Sequence, residues 1–110
     1  MIFVTGPLYA GKREFIRNAL GLSEAAFNAC AVWDVQELAP GAELSTLADR
    51  LAQNNIVIAT ELGGGLVPID RTEREKREAA GRLACLLAER ADTVIRVCCG
   101  LGQVLKGELP

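Results

Sequence analysis

The sequence predicts a three-layer α/β domain with a mainly parallel, reduced sheet, and three observations support this fold class. Four short runs are apolar and rich in β-branched residues, as strands buried on both faces are. Segments in which apolar residues recur at helical spacing separate these runs, as in successive parallel β-α-β units. The length of 110 residues allows one core of this kind, so we expect a single domain over residues 1–110.

The first strand and the first helix flank a glycine-rich turn. Residues 2–5 are apolar and end at Gly6, which indicates a buried strand that enters a turn. From residue 12 to residue 20, apolar side chains recur at intervals of three and four, which predicts a helix. Residues 29–33 form a second apolar run that ends at Asp34, and we expect it to be a strand with an acid at its carboxyl end.

The second half of the chain repeats this alternation. Apolar residues at helical spacing mark a helix over residues 44–51, and residues 56–60 form the clearest strand pattern in the sequence. Residues 71–90 have the longest helical pattern, which is charged in its first half and rich in Leu and Ala in its second. Residues 93–98 are the last predicted strand. The order of elements therefore favours a parallel sheet covered by helices on both faces.

The charge balance and the absence of long apolar segments restrict the partners. Twelve basic and fourteen acidic residues give a formal net charge of −2, and the basic residues are scattered among acids. Without a basic stripe to displace counterions from phosphates, we expect no nucleic-acid partner. No apolar run approaches the roughly 20 residues of a membrane-spanning helix. We therefore expect a cytoplasmic protein without a membrane span.

Histidine and cysteine usage narrows the chemistry further. The sequence contains no His, which excludes a histidine base, a Ser/His/Asp or Cys/His triad, a histidine metal ligand and a phosphohistidine intermediate within these residues. The cysteines form no C-x-x-C pair and have apolar neighbours, so we expect buried thiols in a reducing compartment. They are Cys30, Cys85, Cys98 and Cys99.

A phosphate-binding loop is the most specific local signal. The pattern G-x-x-x-x-G-K-[S/T] is matched up to its last position, between a predicted strand and a predicted helix. Glycines let the backbone N–H groups turn inward around a phosphate, and the lysine reaches the β- and γ-phosphates. This predicts a P-loop NTPase-like domain that binds GTP or ATP; the alternative is a plain tight turn with a surface lysine. The matching residues are Gly6, Pro7, Leu8, Tyr9, Ala10, Gly11, Lys12 and Arg13.

The expected Mg²⁺ site is incomplete in this sequence. Arg13 replaces the Ser or Thr whose hydroxyl would bind the metal, and a guanidinium has only donors and a fixed positive charge. Asp34 follows the second strand, where a carboxylate can hold Mg²⁺ through water; it is also a common turn or N-cap residue type. Glu61 follows the third strand at the same edge of the sheet, where ligands of open α/β sheets bind, or it is a solvated loop acid.

Two further segments lie beyond the third strand. Three consecutive glycines from Gly63 to Gly65 permit close backbone approach by a ligand, or they form a flexible loop. In the long helix Arg71, Arg74 and Arg77 recur every three residues among glutamates. Such spacing is typical of a solvated helix face with salt bridges, although it also suits an anionic ligand.

These motifs together resemble the adenosylcobinamide kinase / adenosylcobinamide-phosphate guanylyltransferase family of cobalamin biosynthesis. That family pairs an N-terminal phosphate loop with an Asn-Glu-Val-Gly-x-Gly-Ile-Val-Pro segment, an Arg-x-Phe-Arg-Asp-x-x-Gly helix, an Ala-Asp and a final Ala-Gly-x-Pro…Lys. The corresponding segments here are Thr60 to Pro68, Arg74 to Gly81, Ala91-Asp92, and Cys99-Gly100-Leu101 with Lys106. The resemblance implies binding of a nucleoside triphosphate and of adenosylcobinamide. It implies catalytic roles for Lys12, Asp34 and Glu61, with substrate contacts from Glu61, Gly63, Gly65, Arg74 and Arg77.

Several departures from the family pattern bear on activity. Besides Arg13, the sequence has Thr60 for the Asn, Lys76 for the Phe and Gly102 for the Pro. Only residues 21–29 separate the first helix from the second strand, where the family has a further strand and a helix whose histidine accepts GMP. We therefore expect at most the kinase activity, with the histidine-dependent guanylyl transfer lost. The alternative is a non-catalytic nucleotide- or corrinoid-binding regulatory module, and an uncovered sheet edge suggests a homo-oligomer.

Overall fold

The computed structural model describes residues 1–62 and 70–110 of the chain. The described residues form one five-stranded sheet with the order β2-β3-β1-β4-β5. The first four strands run parallel to their neighbours, whereas β5 pairs antiparallel with β4 at one edge. The strands are β1 (Ile2–Gly6), β2 (Ala31–Val32), β3 (Ile56–Thr60), β4 (Thr93–Cys98) and β5 (Leu101–Lys106).

Four α-helices in the described residues cover the sheet. They are α1 (Lys12–Ala19), α2 (Glu24–Cys30), α3 (Leu44–Leu51) and α4 (Arg71–Arg90), and a 3-10 helix spans Val35–Leu38. Side-chain oxygens cap three of the α-helices, since Ser23, Glu43 and Asp70 each accept a hydrogen bond from a backbone N–H in the first turn. None of the described helices is both long enough and apolar enough to cross a membrane.

Two apolar cores lie on opposite faces of the sheet, which makes the fold three-layered. Successive residues of a strand point to opposite faces, so Phe3 of β1 packs into one core and Val4 into the other. The Phe3 core includes Leu47 from α3 and Leu83 from α4. The Val4 core contains Ile16 of α1 and Phe27 of α2. The predicted mixed α/β class with a mostly parallel sheet is therefore confirmed.

Four elements differ from the sequence prediction: β2 in its extent, and α2, the 3-10 helix and β5 in that they were not predicted. The strand predicted over residues 29–33 is wrong in extent, because Cys30 still belongs to α2 and only Ala31–Val32 pair with β3. A short apolar run fits a buried helix end as well as a strand, and the Ser23 cap starts a helix that the sequence analysis did not predict. Strand β5 was also not predicted, because all six of its residues are exposed and no apolar run marks it.

The expected burial of the cysteine thiols is wrong for three of the four residues. Cys85, Cys98 and Cys99 are exposed, and Cys30 is partly buried. Cys85 lies on the outward face of α4, between the buried Leu83 and Leu87. Cys98 is the last residue of β4, and Cys99 lies in the turn between β4 and β5. Apolar sequence neighbours therefore did not indicate burial, either on the outward face of a helix or at the end of a strand.

Gly6, at the carboxyl end of β1, is required by a close backbone contact. Its φ is 153°, and a Cβ atom at this position would collide with the carbonyl oxygen of Val97 in β4. That oxygen is part of the sheet backbone, so it has little freedom to move. We expect Gly6→Ala to lower the free energy of unfolding by about 2–4 kcal/mol, measured by urea denaturation.

Gly81 provides the matched control for this substitution. It lies on the exposed side of α4, where an added Cβ would meet no atom within 4 Å. Gly81→Ala should therefore raise the free energy of unfolding by roughly 0.5–1 kcal/mol, because Ala has the higher helix propensity. Equal stabilities for the wild type and Gly6→Ala would contradict the close contact at Val97.

Candidate functional site

The segment between β1 and α1 is a short loop fastened at both ends. At its start, the carbonyl oxygen of Gly6 accepts a hydrogen bond of 2.8 Å from the backbone N–H of Glu61, which follows β3. Near its end, the carbonyl oxygen of Ala10 accepts one of 2.8 Å from the N–H of Gly100, in the turn after β4. Gly11 then adopts a φ of 82° as the N-cap of α1. The two strands that flank β1 therefore hold the loop.

Lys12, the first residue of α1, turns its side chain back into this loop. Only 9% of the residue is exposed, and its Nζ donates a hydrogen bond of 2.7 Å to the carbonyl oxygen of Pro7. Burial lowers the pKa of Lys12 below its ordinary value; nearby Asp34 and Glu61 oppose this shift, and Arg13 adds to it. The predicted catalytic residues Asp34 and Glu61 therefore each lie within electrostatic range of Lys12.

A cleft of about 390 Å³ opens beside the loop at the carboxyl ends of the parallel strands. Its size is within the range of small-molecule sites, and the carboxyl edge is where open α/β sheets bind ligands. The cleft is lined by the loop and first helical turn from Leu8 to Glu14 and by Trp33, Asp34, Ile58 and Thr60. Six of the eight predicted loop residues, from Leu8 to Arg13, line this cleft.

Arg13 contacts an aromatic ring. Its guanidinium carbon lies 5.2 Å from the centre of the Trp33 ring, within the range of a cation–π contact. The other ring partner of Trp33 is Phe27, whose ring stacks on it with centres 5.8 Å apart and planes 13° apart. The positive charge that replaces the expected hydroxyl therefore stays at the wall of the cleft. Sequence reasoning did not assign Trp33 to the site, although it directly precedes Asp34.

Asp34 also lines the cleft, in an unusual backbone conformation. Its φ is 55°, a left-handed conformation that Asp tolerates better than most residues. It precedes the 3-10 helix, yet its side chain makes no capping hydrogen bond there. Asp34 thus occupies the N-cap position, as the turn or N-cap alternative expects, but its side chain is not used for capping. The carboxylate is one of two acidic groups among the described residues that line the cleft, the other being that of Glu14.

Glu61 forms an ion pair that sequence reasoning did not find. Its carboxylate accepts hydrogen bonds of 2.8 and 3.0 Å from Nε and Nη2 of Arg96 in β4. This two-point contact raises the pKa of Arg96 above its ordinary value. Glu61 and Arg96 meet because β3 and β4 lie on either side of β1. The available sequence signal was a single arginine within the apolar residues 93–98.

The proposed substrate arginines lie in a different part of the fold. Arg74, which is exposed, and Arg77, which is partly buried, belong to the charged first half of α4, and neither lines the cleft. Other charged residues of this helix form ion pairs along its surface: Arg71 with Glu75, Lys76 with Glu73, and Arg82 with Glu78. Gly63 and Gly65 lie outside the described residues. Arg74 and Arg77 are thus not among the residues that line the cleft.

A buried glutamine and a lysine stabilise the surrounding framework. Gln36 Oε1 accepts a hydrogen bond of 2.9 Å from the backbone N–H of Thr60, which fixes the end of β3 at the cleft. Lys106 Nζ donates hydrogen bonds of 3.1 Å to the carbonyl oxygens of Ala88 and Glu89, near the end of α4.

No group of three or more His, Cys, Asp or Glu residues suited to a metal occurs in residues 1–62 and 70–110.

Comparison with known proteins identifies the family. A family model described as cobinamide kinase / cobinamide phosphate guanyltransferase matches residues 26–105, which is most of the chain. The match includes Asp34, Glu61 and Arg96, and it begins after the loop that contains Lys12. No curated protein matches the sequence. The chain belongs to the cobinamide kinase / cobinamide phosphate guanyltransferase family.

Proposed function

We propose that this protein binds GTP or ATP with its phosphates at the loop from Gly6 to Arg13 and transfers the γ-phosphoryl group to the hydroxyl of adenosylcobinamide. The main support is the buried ammonium of Lys12, which lies at the end of a glycine-bounded loop and within range of two carboxylates. Family membership supplies the substrate class. On this proposal residues 1–110 act as a single P-loop nucleotide-binding domain.

The loop offers an anion several complementary groups. An ammonium has three donors, so Lys12 can exchange its bond with the Pro7 carbonyl for phosphate oxygens or keep both. The N-terminus of α1 adds partial positive charge at the same place. The Gly100–Ala10 hydrogen bond keeps the end of the loop in position, which lowers the ordering entropy that binding would otherwise require.

Mg²⁺ fits this site only in part. Asp34 is a carboxylate of the cleft that can hold the ion through water, and Mg²⁺ commonly completes its shell with nucleotide phosphates and water. When bound, Mg²⁺ neutralises phosphate charge during phosphoryl transfer. The hydroxyl ligand of the usual loop is replaced by Arg13, which already contacts Trp33 at the cleft wall. We therefore infer that the Arg13 guanidinium takes over part of the charge neutralisation.

The residues proposed to contact adenosylcobinamide are assigned from the resemblance to the family. Glu61 is placed beside the loop by its backbone bond to Gly6, and Arg96 holds its carboxylate in one orientation. A carboxylate in this position can orient the acceptor hydroxyl. Gly63, Gly65, Arg74 and Arg77 stay the proposed substrate contacts. Guanylyl transfer through a histidine has no nucleophile in these 110 residues, so the proposal is limited to the kinase step.

The Lys12→Ala variant tests nucleotide binding. Removing the ammonium should weaken GTP and ATP binding at least tenfold, because the variant loses a charge-assisted contact to phosphate. Isothermal titration calorimetry measures the effect. Lys76→Ala, which removes an exposed lysine paired with Glu73, is the matched control and should bind nucleotide as the wild type does. No binding heat for the wild type at millimolar nucleotide would overturn the proposed function.

The lowered pKa of Lys12 predicts a pH dependence of the same binding. As the pH rises toward 10.5, Lys12 loses its proton at a lower pH than an ordinary lysine does, so nucleotide affinity should fall within the alkaline range below 10.5. Lys12→Arg keeps its charge there and should lose this decline. The Tyr9→Phe variant is the control for the exposed phenol of the loop. It keeps Lys12 and should show the same decline as the wild type. The same decline in Lys12→Arg would contradict the assignment to Lys12.

The Arg13→Ser variant tests the kinase step and its metal dependence. Phosphorylated adenosylcobinamide is measured with GTP over a range of Mg²⁺ concentrations. We expect weak Mg²⁺ dependence for the wild type and a dependence at least tenfold stronger for Arg13→Ser, because the serine restores a hydroxyl ligand. Arg17→Ser, one helical turn further along α1, is the control. Turnover by Arg13→Ser without turnover by the wild type would instead support the alternative of a non-catalytic binding module.

A further inference from the structure

Two adjacent thiols lie at the turn that supports the loop. Cys98 ends β4 and Cys99 begins the turn to β5; both residues are exposed, and their Sγ atoms are 4.0 Å apart. Neither residue has a role in the function proposed above. The turn that contains Cys99 donates the Gly100 N–H to the carbonyl oxygen of Ala10. Any ligand of the two thiols would therefore bind next to the loop.

The backbone of this turn is unfavourable for cysteine. Cys99 and Gly100 have φ values of 54° and 74°, and positive φ at both central residues is the signature of a type I′ hairpin turn. Asn, Asp or Gly is the usual residue at the first of these positions, because a left-handed conformation costs other residues about 1–2 kcal/mol. The sequence thus places a thiol where an ordinary hairpin would have Asn.

The spacing of the two sulfurs suits a shared ion better than a disulfide. A disulfide needs the sulfurs about 2.05 Å apart and usually joins residues whose Cα atoms are 4.4–6.8 Å apart. Neighbouring residues have Cα atoms only about 3.8 Å apart, so closing this bond would distort the turn. Two thiolates bound to one Zn²⁺-like ion, at about 2.3 Å each and a tetrahedral angle, lie about 3.8 Å apart. The observed 4.0 Å is close to that value.

A guanidinium lies near one of the two thiols. Arg96 precedes Cys98 by two residues, and alternate residues of a strand project to the same face. Cys98 contributes, after Glu61, to the raised pKa of Arg96, so the two side chains are close. Thiolates are the form in which cysteine binds metals and attacks electrophiles. A soft, thiophilic centre bound by the two thiols would therefore lie beside Arg96 and its partner Glu61.

We infer that Cys98 and Cys99 form a two-thiolate site for a soft, thiophilic centre, either a divalent cation of the Cd²⁺ type or a monosubstituted trivalent arsenical. Binding of the cation releases two thiol protons. With an arsenical oxide, two S–H bonds and the As–O bond break, two As–S bonds form, and the oxygen leaves as water. Arsenic keeps its oxidation state, so no oxidant is required. The bound centre rigidifies the turn and, through Gly100, the end of the loop.

Binding stoichiometry is the first test, and it does not depend on nucleotide binding. The full chain, reduced with a phosphine, is titrated with Cd²⁺ and followed by the thiolate-to-metal charge-transfer band. In parallel, phenylarsine oxide adducts are counted by intact mass spectrometry. We expect one equivalent of each. Binding of Cd²⁺ without the arsenical adduct identifies a cation site, and the reverse result identifies a metalloid site. No tight binding of either probe would overturn the inference.

Cysteine variants locate the site within the chain. Cys98→Ser and Cys99→Asn should each lose the one-equivalent binding, and Cys99→Asn should also fold more stably because Asn suits the left-handed position. Cys30→Ser and Cys85→Ser are the matched controls and should bind both probes as the wild type does. Retention of the one-equivalent adduct in Cys99→Asn would overturn the assignment, and the higher stability of that variant excludes unfolding as the cause of a loss.

Hydrogen exchange tests the connection to the loop. The Gly100 amide proton, which bonds to the carbonyl oxygen of Ala10, should exchange several-fold more slowly when one equivalent of Cd²⁺ is bound. Mg²⁺ at the same concentration should not change the rate, because it prefers oxygen ligands. Unchanged exchange with the site filled would overturn the connection to the loop. Faster exchange would overturn the statement that the bound centre rigidifies the turn.

Discussion

The position of the loop depends on the close approach of β1 and β4 at Gly6. A Cβ at this residue would collide with the Val97 carbonyl oxygen, so only glycine lets the chain leave the sheet at this point. The Gly6 carbonyl also accepts the N–H of Glu61, which fastens β1 on its other side to the end of β3. The start of the loop is thus fixed in relation to three parallel strands. Lys12 can return to the Pro7 carbonyl because both ends of the loop are held.

Charge balance around Lys12 follows from the same strand order. Burial disfavours the ammonium, and the pKa of Lys12 falls accordingly; Asp34 and Glu61 limit the fall. These acids reach Lys12 from the ends of β2 and β3, whereas Arg96 on β4 forms a two-point ion pair with Glu61. The side chain of Asp34 makes no capping hydrogen bond, and the residue lines the cleft. Asp34 is therefore a better candidate than Glu61 for a contact with a cationic ligand.

Most elements could be predicted from periodicity, whereas the contacts across the sheet could not. Strands β1, β3 and β4 and the helices α1, α3 and α4 have clear patterns of apolar residues. Helix α2 buries only Phe27, and β5 buries no residue, so neither has a marked pattern. The loop was recognisable from its glycines and lysine. The pairing of Glu61 with Arg96 requires the strand order, which no local pattern encodes.

The family match and the loop occupy different parts of the sequence, yet they are physically joined. The matched residues 26–105 exclude the loop, but they contain both groups that hold it: the N–H of Glu61 on Gly6 and the N–H of Gly100 on Ala10. Lys106, just beyond the match, closes the end of α4. Glu61, Gly100 and Lys106, which belong to the family pattern, therefore hold the backbone around the site through hydrogen bonds. Gly100 acts on the loop, and Lys106 on α4, only through such framework contacts, whereas Glu61 is also the proposed contact to the acceptor hydroxyl.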